Sequence, residues 1–170
     1  MTVELPTLNT ELLSQIIKWA ELSDEVHDPA SLAPQEEILP GWGVWMQNHW
    51  ITRMIIRGNG RSRNAKGQFV ANIPEGFCKT GCCIAGQVAL QSGWNYISDS
   101  ECMERDGNVQ EVSRIGREEL GLTRIEAEAL FAGSNEIDDI KEITNTLYQR
   151  RGLGTPYPDH AVRSSTFWDD

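Results

Sequence analysis

Residues 108–151 read NVQEVSRIGREELGLTRIEAEALFAGSNEIDDIKEITNTLYQRR, and three helices are spelled out in them. Asn108 and Glu111 stand at capping-box spacing, and Gly121 suits the left-handed residue that ends a helix, so the spacing predicts a helix over 108–120. Thr123 and Glu126 form a second box. Ala127, Leu130 and Phe131 give that helix an apolar face, and Gly133 stops it. The last helix is predicted over 134–151. Glu136, Asp138 and Asp139 lie in its first turns and Arg150 and Arg151 in its last, an arrangement that complements the helix dipole. Ile137, Ile140, Ile143, Thr144 and Leu147 recur at helical spacing and form its buried stripe.

Working outward, Thr80 to Ser92 reads as a helix capped by Thr80 and stopped by Gly93. Gly81, Ala85 and Ala89 sit four apart, with Gly86 beside them, so this helix is expected at the centre, pressed against a neighbour. Leu8 to Ser23 is a further helix with Leu12, Leu13, Ile16, Ile17, Trp19 and Ala20 on one broad face. Trp42, Trp45, Met46, His49, Trp50, Arg53 and Met54 also fall at helical spacing and predict a helix, although Ile51 to Ile56 carries the β-branched content of a strand. Gly58 to Gln68 is expected to be a surface loop. Residues 94–107 read as irregular or as a short hairpin. The expectation is a mainly α chain: a compact bundle of five to six helices over 1–151, a long basic loop, and an extended tail over 152–170 on which Phe167 and Trp168 can dock.

Composition narrows the function classes. The 170 residues carry a net charge of -10, which disfavours long duplex DNA and anionic membranes as partners. No apolar run is long enough for a transmembrane helix, and Met1 to Asn9 lacks the basic and apolar regions of a secretory signal, so the expected location is the cytoplasm. The charge is unevenly spread. No Asp or Glu occurs from Ile38 to Pro74, whereas Arg53, Arg57, Arg61, Arg63 and Lys66 all lie there. The other 133 residues hold 10 basic and 25 acidic side chains.

Two segments share a resemblance. Cys78-Lys-Thr-Gly-Cys-Cys83-Ile-Ala-Gly86 resembles a Cys-Gly-Thr-x-x-Cys-Ile-Ala-Gly motif, departing from it at Lys79 and, just beyond it, at Gln87. Leu120-Gly-Leu-Thr-Arg-Ile-Glu-Ala-Glu-Ala-Leu-Phe131 resembles the Leu-Gly-Leu-Thr-x-x-Gln/Glu-Ala-x-x-Leu-Phe segment that follows it. Both occur, in this order, in a family of small proteins of actinobacteriophages and bacterial genomes. The resemblance implies a helical fold and a phage origin; it supplies no catalytic residue and covers under a third of the chain.

Three chemistries are then open. Cys78, Cys82 and Cys83, with Cys102 or His49, could hold zinc tetrahedrally. They lack the Cys-x-x-Cys pairs of common zinc sites, so they are read first as small buried hydrophobes, with no metal and no cofactor. The acid-free stretch offers a ligand site: Arg53, Arg57, Arg61, Arg63 and Lys66 for phosphates, with Trp45 and His49 beside them, the aromatics able to stack on a base. Its alternative is that the tryptophans are core and the arginines solvate a loop. No phosphate-binding glycine loop, nucleophile elbow or zincin pattern is present, so nothing argues for an enzyme. The leading expectation is a phage-related interaction protein that binds and modulates a host protein through exposed acids such as Glu118, Glu128 or Glu142. The next is a binder of a nucleotide or a short nucleic acid, and the third a small thiol or zinc protein.

Overall fold

Five helices carry most of the regular structure in the computed structural model, which describes residues 4–27, 44–45, 51–57, 61–64, 69–70, 80–97, 102–163 and 168. The protein is mainly α. The helices are α1 (Thr10–His27), α2 (Ile84–Gln91), α3 (Val112–Leu120), α4 (Arg124–Leu130) and α5 (Ile137–Arg150). The strands β1 (Val44–Trp45), β2 (Ile51–Arg57), β3 (Arg61–Asn64), β4 (Phe69–Val70) and β5 (Thr80–Cys82) pair in the order β1-β5-β2-β3-β4. A smaller sheet joins β6 (Asn95–Tyr96), β7 (Cys102–Arg105) and β8 (Asn108–Glu111). Among the described residues, no helix is long and apolar enough to cross a membrane.

The core grows from α1 and α2. Asn9 begins α1, its Oδ1 accepting the Leu12 N–H at 3.2 Å. Leu13, Ile16, Ile17, Trp19 and Ala20 are buried, the face that their spacing predicts. Each such burial contributes about 1.5–3 kcal/mol relative to exposure. In α2 the six residues from Ile84 to Ala89 are all buried. Its small side chains have a physical reason: a Cβ added at Gly116 of α3 would lie 2.9 Å from the Cβ of Ala85 and 3.0 Å from its Cα. The close approach compensates the roughly 1 kcal/mol that a helical glycine costs. Ala85→Leu is therefore expected to lower stability by about 1–3 kcal/mol, the usual cost of overpacking. An unchanged midpoint of urea unfolding would show that this face of α2 has room.

Four local expectations are corrected. The helix expected over Trp42 to Met54 is not formed, since Val44–Trp45 and Ile51–Arg57 are strands. The expected basic loop contains a strand, because Arg61–Asn64 pairs antiparallel with Ile51–Arg57. Thr80 does not cap a helix: it begins β5, held between β1 and β2, and Cys83 is the N-cap of α2. Asn108 does not cap α3 either. It opens β8 after a two-residue turn in which Asp106 (φ 53°) and Gly107 (φ 79°) are both left-handed, the pattern that matches the twist of a hairpin.

The α3–α4 corner follows its sequence. Gly121 closes α3 in the left-handed region, at φ 68° and ψ 49°. The Thr123 Oγ1 accepts the Glu126 N–H at 3.3 Å, and Glu126 Oε2 accepts the Thr123 N–H at 2.8 Å. Glu126 is fully buried and faces Arg151, whose Nη1 and Nη2 donate to its two oxygens at 2.9 Å each. Burial alone would raise the Glu126 carboxyl, but the bonds from Arg151 and Thr123 hold it below the ordinary carboxylate range.

Residues 152–163 contain no helix or strand and run back along α5. The buried Asn145 amide donates to the carbonyls of Tyr157 (2.7 Å) and His160 (2.9 Å) and accepts the Tyr157 N–H at 2.9 Å. Thr146 Oγ1 accepts the Arg163 N–H at 2.9 Å, and the Arg163 guanidinium reaches Asp139 and Glu142. Trp168 is buried with the Arg150 guanidinium over its ring, whereas Phe167 lies outside the described residues.

Candidate functional site

The five-stranded sheet gathers the arginines. Its register sets Arg57 opposite Arg61 and Ile55 opposite Arg63. Since positions two apart on a strand share a face, Arg53, Arg57, Arg61 and Arg63 all occupy one face of the β2–β3 hairpin, with Ile55 among them. The pairings Arg53 with Thr80, Ile51 with Cys82 and Trp45 with Cys82 extend that face to Trp45. The opposite face carries Val44, Thr52, Met54, Ile56 and Val70. Neighbouring strands lie about 4.8 Å apart and alternate residues about 6.7 Å apart along a strand. The four arginine positions thus fall within a patch the size of a nucleotide. His49 and Lys66 lie outside the described residues.

One pairing in this patch sets two arginine positions opposite each other, 57 and 61. Like charges at directly opposed positions across two strands repel. A position that breaks a local rule without a folding gain is where a functional demand is expected. An anion lying between the two would convert the repulsion into shared attraction.

The cysteines read differently. Cys83 is buried, and that burial pushes its thiol up to about 11 despite nearby backbone bonds at the start of α2. It is therefore a neutral thiol at pH 7, and a poor nucleophile, since the thiolate is the reactive form. Cys102 is half-buried on β7, Cys82 lies on β5, and Cys78 falls outside the described residues. Among the described residues no three metal-ligating side chains gather into a site.

The acids expected on a docking surface are each paired with an arginine of the chain. Glu118 Oε1 accepts Arg114 Nε at 2.8 Å, Glu128 Oε1 accepts Arg124 Nε at 2.7 Å, and Glu142 Oε2 accepts Arg163 Nε at 3.2 Å. The first two are i,i+4 helix pairs; each holds its arginine charged over an even wider pH range than usual. The Glu126–Arg151 pair and the Asn145 anchor escaped the sequence reading, because their partners lie 25 and 12–16 residues away. The chain matches no protein-family model, no curated protein and no solved structure.

Proposed function

We propose that the protein is a non-enzymatic binder of a short phosphate-bearing ligand, a nucleotide or a short oligonucleotide, and that it uses the face carrying Arg53, Arg57, Arg61 and Arg63. The observation behind this reading is the strand register, which sets positions 57 and 61 opposite each other and puts positions 53 and 63 on the same face. The net charge of -10 disfavours a long polyanion but leaves a single basic patch open to a small one. A protein of phage origin that sequesters a signalling nucleotide would need such a face and no catalytic groups. Binding of a host protein through the acidic helices is the second reading. Its candidate acids Glu118, Glu128 and Glu142 form solvent-accessible pairs with arginines of the chain, which a basic partner could replace.

Calorimetric titration with mono-, di- and cyclic nucleotides tests the first reading. The double variant Arg57→Gln/Arg61→Gln should lose over a hundredfold in affinity, since each charge-assisted bond contributes about 1.5–3 kcal/mol. Its melting temperature should stay level or rise as the repulsion is relieved. Saturable nucleotide binding that survives the double substitution would remove this face from the mechanism. A salt-sensitive gel shift with long duplex DNA would contradict the size limit set by the overall charge.

A further inference from the structure

A cavity, separate from the arginine face of the sheet, opens between α3 and α4. It has a volume of about 660 Å³, within the range of small-molecule sites. Ser113, Arg114 and Arg117 line it from α3, and Arg124, Ala127 and Phe131 from α4 and its C-terminus. Ala127 and Phe131 are buried, and the Phe131 ring is wedged near Gly116, so the apolar part of the lining is fixed by the core.

The polar part is built from three guanidinium groups. Arg114 and Arg124 are each steadied by an i,i+4 glutamate through the Nε–H, a bond that uses one of the five donors of each group. Arg117 has a looser tie: its Nη2 lies 3.7 Å from Glu118, the acid that already bonds Arg114. One carboxylate thus serves two arginines. Exposed pairs of this kind contribute little and yield readily to a stronger anion. Glu111 and Glu128 also line the cavity, so its overall charge is close to balanced. That balance disfavours a polyphosphate and suits a ligand with a single anionic group.

We propose that this cleft is a second binding site, for a small molecule that joins one carboxylate or phosphate to an aromatic or other apolar body. The anionic group is taken by Arg117 with Arg114, and the body lies over the exposed edges of Phe131 and Ala127, beside Ala132 and Gly133. Recognition needs both parts: the arginines give direction and charge, while the apolar floor excludes water from the contact.

The test is an amide NMR titration of the full chain with phenyl phosphate and benzoate, beside inorganic phosphate and benzamidine. Phenyl phosphate or benzoate should produce saturable shifts at Ser113, Arg117, Ala127 and Phe131. Arg117→Gln should weaken that binding by about tenfold or more, as expected for loss of a charge-assisted contact, and Arg57→Gln/Arg61→Gln should leave it unchanged. This last comparison separates the cleft from the sheet face. Arg114→Gln, at an exposed side chain, repeats the test if Arg117→Gln fails to fold. The proposal is overturned if neither aryl anion gives saturable shifts, or if inorganic phosphate or benzamidine binds there as well as they do. It is equally overturned if both arginine variants bind like the wild type.

Discussion

Arg151→Ala should cost about 3–5 kcal/mol of folding stability, the range found when one partner of a buried ion pair is removed. That is a third or more of the total for many domains. The size follows from how fully the side chain is used. All five of its N–H donors are engaged: Nε to the Pro6 carbonyl at 3.0 Å, Nη1 to Glu126 and to the Leu147 carbonyl, and Nη2 to Glu126 and to the Gly121 carbonyl. One residue thereby joins the N-terminal segment, the α3–α4 corner and the end of α5. Alanine would leave the Glu126 carboxylate buried with Arg150, 3.3 Å away, as its remaining cationic neighbour among the described residues. Urea unfolding measures the effect, and a loss under about 1 kcal/mol would mean that the pair behaves like a surface one.

The same pair has a pH signature. Glu126 is held below the ordinary carboxylate range in the fold, so the folded state binds its proton less readily than the unfolded chain. Its contribution is complete above the unfolded carboxyl pKa of about 4.3 and is lost as the pH falls through the lower folded value. Glu126→Gln should be less stable than the wild type at pH 7. The gap between them should narrow below about pH 4.3. A constant gap would exclude ionisation of Glu126 as its source.

Gly121→Ala should be nearly as damaging, by about 3 kcal/mol, as the sum of two costs. A residue with a Cβ loses about 1–2 kcal/mol in the left-handed region, where Gly121 sits at φ 68°. The added Cβ would also stand 1.9 Å from the Thr7 carbonyl oxygen. Residues 6–9 cannot retreat without loss, because the Asn9 N–H donates to the Leu120 carbonyl at 2.9 Å and Arg151 holds Pro6. Overpacking of this kind adds about 1–3 kcal/mol. Gly152 provides the control. It has the same φ of 68° and nothing within 4 Å of an added Cβ. Gly152→Ala should show the conformational cost alone, about 1 kcal/mol. Equal losses in thermal unfolding would mean that contact with Thr7 contributes nothing.

The elements legible in the sequence are those whose signals are local. At the α3–α4 corner, Gly121, Thr123 and Glu126 each have one role within a few residues, and the fold uses all three. The α1 stripe was equally plain. Over Trp42 to Met54, by contrast, tryptophans at helical spacing outweighed the strand alternative that Ile51 to Ile56 offered, and the strand is what forms there. What makes β2 a strand is pairing on both sides, with Arg61–Asn64 a few residues on and with Thr80–Cys82 some thirty residues on. The Asp106-Gly107 dipeptide was a readable hairpin signal, and the capping pattern of Asn108 and Glu111 obscured it. Arg151 looked like a dipole complement because a helix end gives no sign that a buried acid waits 25 residues upstream. For the candidate site, composition picked out the arginines, but only the strand register puts four of them on one face.

The position of α1 has a consequence for how the protein is made. Its apolar face leaves the ribosome before α3 and α5, which are among its partners, and the Tyr148 hydroxyl that bonds the Thr10 carbonyl is 138 residues downstream. At roughly 5–20 residues per second, synthesis of that interval takes on the order of 7 to 30 seconds. Throughout that time Leu13, Ile16, Ile17 and Trp19 cannot reach their full burial. This helix is thus made well before the partners that enclose it, and it presents a sticky surface that a chaperone at the exit tunnel is suited to shield.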